Sequence, residues 1–329
     1  MNFTRPSTAS LTVKNKAYIL LAAAVALALA VLSLFVGKYP LTLPELLSGN
    51  ERQWQVFCTL RLSRTATAVL GGFILGVCGF VYQTVFQNPL ASPDIIGVSS
   101  GAAAGILFFG GTFAVTASAF TGSLCAVALV LGLSALDKGS KKGTIVLAGI
   151  AVHALAQTVL MSLKILADPE KELASIEYWI MGSLSDISAS RIGGNLLLGL
   201  LCVLALFLLH RQTLLLSAEE GEARMLGVSV GKLRFAVLII ATLSVSAVVS
   251  LTGLISFIGL LAPHGARLFT KNNKTETLLL SGLSGSILLC GADLLARSVS
   301  QTELPVSIFT SLLGAPALII LLMKGRKTV

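Results

Sequence analysis

Charged side chains are scarce in this chain of 329 residues: Asp, Glu, Lys and Arg make up 12%, whereas hydrophobic residues make up 55%. A soluble domain carries about 25% charged residues. This shortage excludes disordered proteins, coiled coils and nucleic-acid-binding folds as the main architecture. The net charge of +9 therefore does not indicate a nucleic-acid partner. In a membrane protein, excess Lys and Arg is first explained by cytoplasmic loops that face anionic lipid.

Residue patterns for metal binding and catalysis are also missing. The three histidines, His153, His210 and His264, lie in different segments, and the five cysteines show no C-x-x-C spacing. Leucine replaces the first glycine of a phosphate-binding loop before both Gly37-Lys38 and Gly231-Lys232. We therefore expect no metal, no disulfide framework, no cofactor, no catalytic residue and no ATP binding by this chain itself.

Acidic residues inside the apolar segments are few. Asp94 and Asp293 both lie near the ends of predicted helices, whereas ion-coupled carriers usually place a carboxylate deep in a span. This position disfavours an ion-coupled secondary transporter without excluding it. An intramembrane enzyme is disfavoured as well, because Asp293 has neither a second mid-span carboxylate nor a pair of metal ligands.

Long uncharged intervals mark where the chain can cross a membrane, because a charge at the bilayer centre is costly. One helical crossing needs about 20 apolar residues. Two intervals are long enough for two helices each, divided at Gly110-Gly111 and at Thr252-Gly253. We therefore predict an all-α integral membrane protein with ten transmembrane helices. The intervals are 17–37, 65–93, 95–136, 143–163, 192–210, 235–266, 277–292 and 304–323.

An even number of spans places both termini on one side of the membrane. With the termini in the cytoplasm, sixteen of the 24 Lys and Arg residues fall on inner segments and eight on outer ones, as the positive-inside rule requires. We predict cytoplasmic tails at 1–16 and 324–329, and a single ten-helix transmembrane domain at 17–323. The first apolar run has no clear signal-peptidase site, so we interpret it as an uncleaved span.

The segment 217–227 lies between the sixth and seventh spans and is predicted to be a short helix. Ser217 and Glu220 form a capping box, and Gly227 is suited to the C-terminal stop. Three glutamates within four residues would be repelled by anionic lipid. We therefore expect this segment to contact a protein partner.

Eight sequence elements between about residues 40 and 326 occur in an order that resembles one known family. They are Leu60-Arg-Leu-Ser-Arg64, 87–93 with 97–101, 147–150, Trp179-Ile-Met-Gly-Ser183, 217–227, 253–260 with Pro263-His264 and Arg267, Ala292-Asp-Leu-Leu-Ala-Arg297, and Glu303-Leu-Pro305 with Leu313-Gly-Ala-Pro316. Each element is weak alone. Together they resemble the FecCD family, the permease subunits of ABC importers for ferric siderophores, haem and vitamin B12.

The resemblance implies a type II ABC importer permease fold with inverted repeats, in a bacterial cytoplasmic membrane. Its implied partners are an ABC ATPase subunit, an extracytoplasmic substrate-binding protein, a second permease copy or paralogue, and membrane lipid. The ATPase is expected to bind a coupling loop at about 211–234. The binding protein is expected to dock on Arg61 and Arg297, whereas Arg64 is expected to be structural. The expected coupling residues are Glu220, Ala223, Arg224, Leu226 and Gly227.

Two positions depart from the family pattern. Ser63 stands where the family commonly has proline, and Glu219 stands where it has glycine. Neither change replaces the matching arginines or Glu220. The resemblance favours an iron-siderophore complex as cargo, with haem or cobalamin as alternatives. ATP hydrolysis is expected on the separate subunit, so this chain is expected to be a transport permease and not an enzyme.

Overall fold

The computed structural model of the chain describes residues 8–109, 115–136, 141–168, 173–185, 187, 189–217, 229–300 and 302–325. Every regular element in these ranges is a helix. The prediction of an all-α protein is therefore confirmed. The five expected coupling residues, Glu220, Ala223, Arg224, Leu226 and Gly227, lie outside the described residues.

Thirteen helices are numbered here over the described residues. They are α1 (Thr8–Phe35), α2 (Leu43–Leu47), α3 (Glu51–Val85), α4 (Val98–Phe109), α5 (Val115–Leu136), α6 (Lys141–Leu166), α7 (Leu173–Ile180), α8 (Ala189–Leu208), α9 (His210–Leu215), α10 (Val230–Thr252), α11 (Ile258–Thr270), α12 (Thr275–Ser298) and α13 (Val306–Gly325).

Six helices in the described ranges are long and apolar enough to cross a membrane, judged by length and composition. Three shorter apolar helices accompany them, at Val98–Phe108, Ile192–Leu208 and Val306–Ile320. The chain is therefore a multi-pass membrane protein. The number ten and the predicted domain limits stay predictions.

The predicted division at Thr252-Gly253 is confirmed, whereas the one predicted at Gly110-Gly111 lies outside the described residues. Thr252 ends α10, and Gly253 adopts a left-handed φ of 70° that stops the helix. Helices α4 and α5 lie on either side of residues 110–114, which are outside the described ranges. The short helices α2 and α7 were not anticipated, because neither is long enough to produce a span-length apolar run.

Helix α3 begins much earlier than the predicted span at 65–93. It starts at Glu51 and includes Arg61 and Arg64, the charged residues that had limited the prediction. Two π-helical stretches, Phe57–Leu62 and Thr67–Gly71, interrupt its regular hydrogen-bond pattern. Such insertions rotate the following side chains relative to a regular helix. Both arginines are thereby accommodated inside the bundle.

Small residues bring the central helices into backbone contact. A Cβ atom on Gly72 of α3 would lie 2.8 Å from the carbonyl carbon of Gly285 in α12. Gly76 of α3 faces Ser281 of α12 in the same way, and Gly101 of α4 faces Gly122 of α5. Membrane helices associate through such small-residue contacts because lipid supplies no hydrophobic force between them. These glycines therefore lie at close helix–helix contacts.

The bundle has two ends, which are named here by their residues. At the arginine end, Arg61 of α3 and Arg297 of α12 donate to carbonyl oxygens at the end of α1, and Arg64 of α3 pairs with Asp293 of α12. At the opposite end, Arg267 of α11 donates to Gln83 of α3. The ring centroids of Tyr18 and Phe269 lie 5.3 Å apart at that end. The Leu216 carbonyl, just after α9, accepts from Gln87 at the same end.

Candidate functional site

Arg64 joins two carboxylates at the arginine end. Its Nε lies 2.9 Å from Asp293 Oδ1, and its Nη1 lies 2.8 Å from Glu303 Oε2. The Asp293 side chain is completely buried. A buried charge needs a partner and hydrogen bonds to be tolerated. Arg64 therefore fixes α3 to α12 and to the residues before α13, which agrees with its predicted structural role.

Arg297 supports the same carboxylate from the other side. Its Nη2 lies 2.9 Å from Asp293 Oδ2, one helical turn away. Its Nη1 donates to the carbonyl oxygens of Ser33 at 3.0 Å and Val36 at 2.9 Å. These carbonyls lie at the C-terminal end of α1, where a helix leaves acceptors unsatisfied and favours a cation.

Arg61 also caps α1. It donates through Nη1 to the Val36 carbonyl, and its Nη2 donates to the Tyr39 carbonyl at 3.0 Å. Arg61 is 7% exposed and Arg297 is 4% exposed. Neither side chain therefore extends to the surface in the manner expected of a freely exposed docking arginine. Both hold the end of α1 against α3 and α12.

A polar cavity of about 190 Å³ opens at the arginine end. Its charged lining residues are Lys38, Arg61, Arg64 and Glu303. Three cationic side chains and one carboxylate therefore line the cavity, so the net charge of its lining is positive. An acidic side chain from outside would be attracted to this cavity. Arg297 is not among the lining residues.

The flanks of segment 217–227 are well placed at the opposite end. Leu216 and Val230, on either side of residues 218–228, are both buried. The Ser217 hydroxyl donates to the Leu214 carbonyl at 2.6 Å. The predicted capping partner Glu220 lies outside the described residues.

Asp94 is held inside the bundle by two donors. The Ser99 hydroxyl donates to its Oδ1 at 2.6 Å, and the Phe257 backbone N–H donates to its Oδ2 at 3.1 Å. Asp94 lies between α3 and α4, outside both helices, and burial raises the pKa of its carboxyl group to about 6. The sequence shows Asp94 only as an acid near a helix end, because Phe257 is 163 positions away in the chain.

Each of the three histidines has a hydrogen-bond partner within the described bundle. His153 Nδ1 lies 3.1 Å from the Ser100 hydroxyl, and His264 Nδ1 lies 2.8 Å from the Leu260 carbonyl. His210 pairs with the Phe207 carbonyl. Within the described ranges, no group of three or more His, Cys, Asp or Glu side chains could hold a metal ion.

Comparisons with known proteins agree with this architecture. The FecCD transport family matches residues 25–324. The chain is 34% identical over 315 residues to the molybdate import system permease protein MolB of Haemophilus influenzae, covering 91% of this chain and 93% of the relative. It is 34% identical over 293 residues to the hemin transport system permease protein HmuU of Yersinia pestis, covering 85% and 86%.

A solved structure is similar along nearly the whole chain. An inward-facing conformation of a metal-chelate type ABC transporter superposes with a TM-score of 0.82 and 32% sequence identity, covering 93% of this chain and 98% of that chain. The predicted fold class, a type II ABC importer permease, is confirmed by this likeness. The chain is a transport permease, and it belongs to the FecCD transport family, whose model matches residues 25–324.

Proposed function

We propose that this permease imports an iron-siderophore complex across a bacterial cytoplasmic membrane by ATP-driven alternating access. The family match over residues 25–324 carries the proposal, because it extends from the first span to the last. A separate ATPase subunit hydrolyses ATP and binds segment 217–227. A second permease, identical or paralogous, supplies the other half of the path. Haem or cobalamin is the alternative cargo.

The charge distribution supports an orientation with both termini in the cytoplasm. Sixteen of the 24 Lys and Arg residues then fall on inner segments. In this orientation, the arginine end faces outward and segment 217–227 faces the ATPase. The substrate-binding protein would then meet the cationic cavity at the arginine end, and the ATPase would meet segment 217–227.

The cationic cavity at the arginine end supports docking of a substrate-binding protein. An acidic side chain of that protein would meet Arg61 directly, because Arg61 lines the cavity. It would reach Arg297 once the 36–39 segment moves, because both arginines share the Val36 carbonyl. Such charge pairs set orientation and encounter rate more than affinity.

Neutralising Arg61 tests the docking role. Arg61→Gln retains a hydrogen-bond donor but removes the charge. We expect binding-protein-stimulated ATP hydrolysis to fall by about tenfold, with basal hydrolysis unchanged. Lys271→Gln at the opposite end is the matched control. Equal loss of stimulated and basal hydrolysis would refute docking at Arg61.

The coupling role is tested at segment 217–227. Arg224→Asp combined with Leu226→Asp replaces a cation and an apolar contact with acids, so the ATPase subunit should no longer co-purify. Lys16→Asp, an exposed charge on α1, is the control. Retention of the ATPase by the double variant would exclude these residues from the contact.

Transport by the complete complex tests the function itself. The permease, ATPase and binding protein would be reconstituted in vesicles and supplied with ferric siderophore, haem, cobalamin or molybdate. We expect uptake of the siderophore with ATP and none with a non-hydrolysable analogue. Uptake by the permease alone along an ion gradient would instead establish a secondary transporter. Preference for another cargo would correct the substrate and leave the ABC mechanism intact.

A further inference from the structure

Residues 87–97, between α3 and α4, form a partly buried non-helical segment with its own hydrogen bonds. The Asn88 side chain accepts from Leu90 N at 2.8 Å, and the Ser92 carbonyl accepts from Ile96 N at 3.0 Å. Ala91, Ser92 and Ile96 are each 1% exposed. Non-helical backbone within a membrane protein requires such internal partners. The 87–97 segment is therefore held in one conformation.

One end of the 87–97 segment is attached to the start of segment 217–227. Gln87 Nε2 donates to the Leu216 carbonyl at 2.9 Å. Gln87 itself adopts a left-handed φ of 49°, which is unfavourable for a residue with a Cβ atom. The surrounding contacts must hold this conformation in place. Movement of Leu216 would therefore act on Gln87.

The other end is attached to the break between α10 and α11. Asp94 accepts from the backbone N–H of Phe257, which has a left-handed φ of 67°. A Cβ atom on Gly259 would lie 2.9 Å from the Pro93 ring, so the two residues are in close contact. The Phe257 ring in turn packs on Gly314 of α13. Asp94 thus connects the segment to α11 and, through Phe257, to α13.

The segment also packs closely along α6. A Cβ atom on Gly97 would lie 3.1 Å from the backbone nitrogen of His153, and one on Gly149 would lie 3.0 Å from the Ile95 carbonyl. Closely packed protein interiors have low compressibility. A displacement of the 87–97 segment would therefore be passed to its neighbours and would not be absorbed between them.

We propose that the 87–97 segment transmits movement from segment 217–227 to the α10–α11 break, with Gln87 and Asp94 as its two positioning residues. The inference rests on the proposed coupling of segment 217–227 to an ATPase. In this proposal, the hinge is the break at residues 253–257, where α10 has ended and α11 has not yet begun. The transporter would then change conformation when the 87–97 segment moves as a unit and bends the chain at the α10–α11 break.

The test is the number of cargo molecules imported per ATP hydrolysed by the complete transporter in vesicles. Gln87→Glu removes the donor to Leu216 at almost constant shape, and Asp94→Asn replaces one carboxylate acceptor by an amide. Each should lower the import-to-hydrolysis ratio by up to about tenfold, with ATPase co-purification and melting temperature unchanged. Exposed residues outside the expected coupling loop supply the matched controls, Gln55→Glu and Asp168→Asn.

The double variant separates transmission from two independent defects. If both residues act through one segment, Gln87→Glu with Asp94→Asn should lower the ratio no further than the stronger single variant. Three results would each overturn the proposal. The first is a double variant whose loss in the import-to-hydrolysis ratio equals the product of the two single losses, the second is an unchanged ratio, and the third is a loss that merely follows a lower melting temperature. Absence of ATP-dependent import by the unaltered transporter would instead refute the proposed function.

Discussion

Replacing Gly285 with alanine should separate the two central helices. Gly285 lies in α12 where α12 crosses α3, and a Cβ atom there would overlap the Gly72 carbonyl oxygen and lie 3.0 Å from its carbon and 3.1 Å from Gly76 Cα. Favourable carbon–carbon separations are about 3.5–4.0 Å. The obstructing atoms are backbone and cannot rotate away. The helices must therefore move apart by several tenths of an ångström or more.

The expected cost follows from overpacking and helix propensity. Overpacking a well-packed core costs about 1–3 kcal/mol, and the rigid backbone contact places Gly285→Ala near the upper value. Alanine regains up to ~1 kcal/mol of helix propensity. We therefore expect a net loss of about 2 kcal/mol in the free energy of unfolding. Gly291→Ala in the same helix has no neighbouring heavy atom within 4 Å and should gain up to ~1 kcal/mol.

The two variants would be compared by equilibrium unfolding in mixed detergent micelles. A difference of about 3 kcal/mol corresponds to a roughly hundredfold change in the unfolding equilibrium. The buried thiols of Cys78 in α3 and Cys290 in α12 provide a second readout, since helix separation should speed their labelling. Equal stability of the two variants within about 0.5 kcal/mol would refute the reasoning.

Three further changes probe other contacts in the described bundle. Tyr82→Phe removes the 2.8 Å hydrogen bond to Thr242 and should lower the free energy of unfolding by about 1 kcal/mol in the same assay. An unchanged free energy of unfolding would show that this hydrogen bond does not stabilise the bundle. Asp293→Asn leaves the guanidinium of Arg64 without its buried counter-charge and should cost about 3 kcal/mol; an unchanged melting temperature would show that the charge pair is dispensable. Gly253→Ala places a Cβ atom on a residue with a left-handed φ of 70° and should cost about 1–3 kcal/mol of the free energy of unfolding. An unchanged melting temperature would contradict this expectation.

The helical membrane class follows from composition, because few charges and long apolar intervals leave no other way to satisfy the backbone in lipid. The break after Thr252 could be predicted as well, since Gly253 tolerates the left-handed φ that ends α10. The start of α3 at Glu51 could not be predicted from the sequence. Arg61 and Arg64 looked like span limits, and only their partners make them compatible with a buried helix.

Ion pairs between residues far apart in the chain could not be predicted from the sequence. Asp293 looked like an isolated acid near a helix end, yet two arginines hold it, one from 229 positions away. The Arg61 and Arg297 docking roles and the coupling residues at 217–227 stay predictions. For Arg61 and Arg297, the structure adds that both guanidinium groups cap the end of α1.

The sequence by itself determined that this protein lies in a membrane, crosses it as helices and belongs with FecCD permeases, because hydropathy and motif order are properties of the chain alone. Only the tertiary structure decided which charges are paired, which glycines lie at backbone contacts, and that Gln87 and Asp94 link distant helix ends. Those facts depend on distances between residues far apart in sequence, and no local pattern encodes them.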